Sequence, residues 1–187
     1  GPAGLMAAEV LSRAGVAVEV FDAMPSAGRK FLLAGRGGLN LTHSEPLAPF
    51  IGRFRQGDGE GADAVASWLR DFGPEAVRDW AAGLGVQTFV GTSGRVFPTE
   101  MKAAPLLRAW LHRLRHAEAP VRFHMRHRWV GWAAPNTPDS IAAGAGAAST
   151  GGIFCFETPA GIVTVRSRAA VLALGGASWP RLGSDGA

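Results

Sequence analysis

Gly1-Pro2-Ala3-Gly4 opens an apolar-periodic stretch, and Asp22 follows 21 positions after Gly1. Leu5, Ala8 and Leu11 fall at helical spacing, so residues 2–14 predict a helix. Gly15 supplies a left-handed stop. Val16–Phe21 then reads as a buried strand with Asp22 at its end. These residue types suit one chemistry. A glycine at the turn before a helix lets the backbone approach a pyrophosphate, whose charge sits at the positive helix N-terminus. A carboxylate ending the next strand accepts hydrogen bonds from ribose hydroxyls. Gly1 and Gly4 have the spacing of the second and third glycines of the G-x-G-x-x-G dinucleotide fingerprint. The strand and first glycine that should precede them are not in the sequence, so the fingerprint is incomplete. An ordinary tight helix start accounts for the same residues.

A second group follows. Gly28–Asn40 reads as a glycine-rich loop bearing Arg29, Lys30 and Arg36, with Gly35, Gly37 and Gly38. Glycine permits close backbone approach, and the cations can neutralise a pyrophosphate. A solvated basic loop is the alternative reading.

Residues 28–43 read Gly-Arg-Lys-Phe-Leu-Leu-Ala-Gly-Arg-Gly-Gly-Leu-Asn-Leu-Thr-His. This run resembles the GRK…GGGxxNLT signature of the bacterial HI-type/YhiN-like family of FAD-dependent, NAD(P)-linked flavoproteins. It is closer still to the uncharacterised branch bearing AGRGGLNLTHSE. Ser93–Pro98 resembles the family's GRVFP, and Leu174–Gly186 resembles its ATGGxSxPxxGSxGDG. The motifs keep their order over nearly the whole chain. Where most relatives have Gly-Gly-Gly-Arg-Cys-Asn, this chain has Gly35-Arg36-Gly37-Gly38-Leu39-Asn40. The arginine is displaced and Leu39 replaces the cysteine, so the resemblance implies no cysteine role in a flavin pocket here.

The resemblance implies an α/β, Rossmann-like, three-layer FAD/NAD(P)-binding fold with a small antiparallel β-meander. It implies a flavin-dependent oxidoreductase reduced by NAD(P)H, with the flavin doing the redox chemistry. Gly1, Pro2, Ala3 and Gly4 would hold the pyrophosphate and Asp22 the adenosine ribose. Arg29, Lys30 and the Gly35–Gly38 loop would flank the cofactor, with Asn40 and Thr42 as polar contacts to the flavin or its ribityl chain. The backbone near Trp129 would border the adenine, and Gly175 and Gly176 would pass close to the FAD. Family members run to roughly twice this length, as expected for a flavoprotein with an inserted substrate domain. Residues 1–187 are therefore expected to be a partial FAD-binding domain, truncated at both ends, with the substrate insert and a final FAD-contacting segment beyond Ala187.

The elements that must position these groups read as follows. Residues 45–61 look like a connection. Ala62–Asp71 and Pro74–Gly83 look like helices whose apolar faces, Trp68, Leu69, Val77 and Trp80, form core. Val86–Val90 and Arg95–Phe97 read as strands around a Thr-Ser-Gly turn. Arg95 could face a flavin or a substrate anion, or simply solvent. Met101–Ala117 predicts a helix with Leu106, Leu107, Trp110, Leu111 and Leu114 buried and a basic outer face. Val121–Trp132 reads as one strand, residues 133–152 as a loop, and Ile153–Thr158 with Ile162–Arg166 as a hairpin. Together, 121–166 would form the meander crossover. Ala169–Leu174 fits a buried parallel strand delivering Gly175 and Gly176 at its C-terminal end.

Composition bounds the rest. Of 187 residues, 47% are apolar and 18% charged, which supports a packed core. A net charge of +4 is weak support for nucleic acid. The single cysteine, Cys155, excludes an internal disulfide or CxxC pair and reads as a small core hydrophobe. His112 and His116 lie four apart without an evident third ligand, so no metal is expected. No apolar run approaches the ~20 residues of a membrane helix, and no leader pattern opens the chain, which points to the cytoplasm. A small-molecule substrate is expected, and neither nucleic acid nor membrane. A non-catalytic nucleotide- or RNA-binding module remains the alternative, carried by the basic face of the 101–117 helix, and so does an inactive fragment of the flavoprotein.

Overall fold

A computed structural model describes residues 1–54, 60–134 and 152–176. The chain divides into two compact units: Gly1–Lys30 with Leu114–Ala187, and Phe31–Arg113.

The first unit begins with α1 (Pro2–Arg13). Proline at the first helical position costs no hydrogen bond, because that N–H has no helical partner. Leu5, Ala8, Glu9 and Ser12 form the buried stripe. The helix ends in a Schellman motif. Gly15, at φ +76°, donates to Ser12 O, and Val16 donates to Leu11 O. β1 (Glu19–Asp22) follows and pairs in parallel with β5 (Arg122–Met125), Glu19 opposite Arg122 and Asp22 opposite Met125. Ser12 Oγ donates to Ala119 O at 2.6 Å, which ties α1 to the segment leading into β5.

β6 (Arg128–Trp132), β7 (Gly152–Thr158) and β8 (Gly161–Ser167) form an antiparallel meander. A bulge between Trp129 and Gly131 kinks β6. Phe154, Phe156 and Val165 make the meander's core, with Phe21, Trp129 and Val163 packed on it. Phe21 of β1 stacks on Phe156 at 4.4 Å, so an aromatic pair joins the parallel sheet to the meander.

The structure divides Val121–Trp132 where the sequence suggests one strand. Arg126 sits at φ +60° and breaks it. The first half joins the parallel sheet and only the second half joins the meander. Ala169–Leu174 also departs from expectation. It has no strand assignment among the described residues, and Val171 and Leu172 are 63% and 56% exposed. An apolar run becomes a strand only when a neighbour satisfies its backbone, and none of the described sheets includes this one.

In the second unit, α2 (Arg29–Ala34, beginning in the first unit) interrupts the expected Gly28–Asn40 loop. Lys-Phe-Leu-Leu-Ala favours helix, and the glycines from Gly35 onwards end it. β2 (Thr42–His43), β3 (Thr88–Val90) and β4 (Arg95–Pro98) form an antiparallel sheet in the order β2-β4-β3. Within the expected 45–61 connection, Leu47–Gly52 forms α3 and Glu60 begins α4 (Glu60–Asp71). α5 (Pro74–Gly83) ends in a second Schellman motif at Gly85. α6 spans Ala103–Arg115 and starts two residues later than its periodicity suggests, because Met101 lies at φ +59°.

Leu39, Ala81, Ala103 and Leu106 form this unit's core, with Phe31, Leu41, Trp80, Leu84 and Val86 against it. Trp110 is fully buried and meets Trp80 edge-on at 4.8 Å. Trp68, expected in the core, is 66% exposed. α4 turns Ala66 inward instead, and Trp68 lies two residues further round, on the outer face.

Candidate functional site

The first unit brings the helix mouth and the acid together. The nitrogen of Gly1 lies 3.9 Å from Asp22 Oδ2. The carboxylate is held by its other oxygen, because Met24 N–H donates to Asp22 Oδ1 at 2.9 Å. That Asx turn leaves Oδ2 directed at the start of α1. Lys30 is half-buried on the first turn of α2, in the same unit.

Gly4 faces the return segment. A β-carbon added there would stand 3.4 Å from the Ala173 methyl. That is van der Waals contact, so α1 packs directly on this segment at the position of the fingerprint's third glycine. Two residues past Ala173, Gly175 adopts φ +79°. Pro2 and Ala3 are exposed on the first turn of α1. Arg29 Nε is out of solvent and makes no hydrogen bond among the described residues. A buried guanidinium nitrogen without an acceptor is costly, and an anionic ligand would supply one. This orphan donor, the glycine approach and the free edge of Asp22 fit an adenine-bearing diphosphate.

The second unit carries the other candidates. Arg36 is exposed, and Gly37 and Gly38 take φ +81° and +130°. A β-carbon at Gly35 would overlap the Ala103 methyl, and one at Gly38 would come within 2.7 Å of Met101 Cε. Those glycines let the loop press against the start of α6. Asn40, with its amide set to suit its neighbours, donates to Thr42 O at 2.8 Å and Val96 O at 3.3 Å. Thr42 is buried. Asn40 therefore braces β2 against β4, a role its place in the motif does not reveal. Arg95, at the start of β4, is exposed.

Over residues 1–187 the sequence matches the family model described as HI0933-like protein Rossmann domain. The chain belongs to the HI0933-like family. No curated protein matches it significantly. The HI0933-like domain is a mixed α/β Rossmann domain, a nucleotide-binding fold of the flavoprotein type. Its motif residues fall in both units. Gly1–Gly4, Asp22, Arg29, Lys30, Gly175 and Gly176 share the first unit, whereas Gly35–Gly38, Asn40 and Thr42 belong to the second.

In this HI0933-like chain, Trp129 is half-buried in the meander core, its indole N–H donating to Gly131 O at 2.9 Å. The final motif from Ala177 onwards lies outside the described residues, as does most of the 133–152 loop. His112 is exposed on α6 and His116 is exposed just past its end, and no group of three or more metal-ligating side chains converges among the described residues. No helix among them is long and apolar enough to cross a membrane.

Sequence reasoning missed the corner between β5 and β6. Arg126 N–H donates to Met24 O at 3.1 Å, and His127 N–H donates to Asp22 O at 3.0 Å. The turn beneath Asp22 is held from below by this corner. Met125-Arg126-His127-Arg128 contains no glycine, asparagine or aspartate to signal a left-handed residue, so turn chemistry was silent there.

Proposed function

We propose that this chain is the FAD-binding part of a flavin-dependent oxidoreductase, reduced by NAD(P)H and acting on a small-molecule substrate in the cytoplasm. One observation carries the reading: Asp22 Oδ2 faces the mouth of α1, 3.9 Å from the Gly1 nitrogen. Bound FAD would supply two-electron redox chemistry. The chain's own residues bind and orient it. Asp22 accepts hydrogen bonds from the adenosine ribose. The backbone from Gly1 to Gly4 and the positive end of α1 receive the pyrophosphate. Arg29 gives its orphaned Nε–H to a phosphate oxygen, and Lys30 lowers the cost of bringing that charge beside Asp22. Gly175 and Gly176 keep the return segment free of side chains where the cofactor passes. The backbone near Trp129 borders the adenine.

Titration of the chain with FAD, followed by flavin fluorescence, tests the proposal. Saturable quenching that ADP competes away is the expected result. Absence of binding by both FAD and ADP would overturn it. Anaerobic addition of NADH or NADPH to the loaded protein then reads bleaching of the flavin band near roughly 450 nm, the chromophore being the cofactor itself.

A further inference from the structure

The β5–β6 corner carries a backbone outlier next to the candidate ribose acid. Arg126 adopts φ +60° although it is neither glycine nor asparagine. Residues with a β-carbon avoid this region, and they persist in it only where the surroundings fix them. Three hydrogen bonds fix this one. Arg126 N–H donates to Met24 O at 3.1 Å, His127 N–H donates to Asp22 O at 3.0 Å, and His127 Nδ1 bonds Met125 O at 2.9 Å. The His127 ring is wedged edge-on against Phe21 and Phe156, at 5.7 and 6.2 Å. Met24, gripped by Arg126 through its carbonyl, uses its own N–H to hold Asp22 Oδ1. The same short turn is thus clamped on both sides, and its free product is Oδ2.

We infer that Arg126 is a positioning residue for Asp22: its left-handed backbone sets the corner whose hydrogen bonds to Asp22 and Met24 aim Oδ2 at the helix mouth. The inference rests on reading Asp22 as the ribose acceptor. Arg126 acts here through its backbone, so its side chain is dispensable for this role and its tolerance of positive φ is not.

The test compares ADP with 2′,3′-dideoxy-ADP, which lacks the hydroxyls Asp22 would bind, on the full chain and four variants. Wild type should prefer ADP by about tenfold or more, the worth of one or two charge-assisted hydrogen bonds. Arg126→Gly and Arg126→Ala should keep that preference, because glycine relieves the strain and alanine leaves it as it was. Arg126→Val should reduce the preference to below about threefold, because a β-branched residue resists positive φ most strongly. His127→Ala, which removes the ring bond to Met125 O, should move the same way and serves in its place if Arg126→Val does not fold by circular dichroism. No preference in wild type would overturn the ribose role of Asp22 itself. A preference in wild type that survives both Arg126→Val and His127→Ala would overturn the positioning role alone. Loss of preference in Arg126→Ala would assign the effect to the side chain and also overturn it.

Discussion

Asp22 presents its two carboxylate oxygens to two different partners: Oδ1 to the Met24 N–H at 2.9 Å, and Oδ2 towards Gly1, whose nitrogen stands 3.9 Å away. The division matters because a carboxylate fully occupied by its own turn could not bind a ligand. Here one oxygen fixes orientation and the other is left to act.

Replacing Asp22 separates those roles. Asp22→Ala should weaken FAD binding by about 1–3 kcal/mol, the cost of losing hydrogen bonds to a charged acceptor. Asp22→Asn retains an oxygen for Met24 and should lose less. Fluorescence titration measures both. Affinity unchanged in Asp22→Ala would mean the ribose lies elsewhere.

Arg29 offers a second handle on the ligand. Its Nε is buried without an acceptor among the described residues. Arg29→Lys keeps the charge but loses that N–H and the planar fork, so FAD affinity should fall roughly tenfold while the melting temperature holds steady. Equal affinity in the two proteins would show that charge alone suffices there.

Gly35 tests the second unit by itself. An added methyl would collide with Ala103, at the buried first residue of α6. Gly35→Ala should destabilise the fold by about 1–3 kcal/mol, the range for overpacking a tight contact. Urea denaturation reads this directly, and a midpoint equal to wild type would contradict the packing described.

Two tryptophans should behave oppositely. Trp110→Ala empties the space beside Trp80 and Phe31 and should cost about 3–5 kcal/mol. Trp68→Ala removes a side chain that is 66% exposed and should stay within about 0.5 kcal/mol of wild type. Paired denaturation curves decide it, and a large loss in Trp68→Ala would place that ring in a core.

Much of this molecule was legible in its sequence because the signals were local. Pro2 and Gly15 bracket α1, and Pro74 opens α5, since φ restrictions and chain stops belong to single residues. The Gly1–Gly4 and Asp22 spacing named a helix mouth and a strand end, and the family match covers the whole chain. Other features required partners distant in sequence. Val121–Trp132 reads as one strand, yet it serves two sheets because β1 and β7 claim its two halves. Ala169–Leu174 has the composition of a strand, but a strand exists only when a neighbour takes its hydrogen bonds. Trp68 and Trp110 are the same residue type on helices of similar pattern, and only the packing of α4 and α6 decides which is buried. The left-handed turn at Arg126 lies furthest from sequence, because no residue preference calls for it. Hydrogen bonds donated to the Met24 and Asp22 carbonyls, brought alongside by parallel pairing of β1 with β5, impose it from outside.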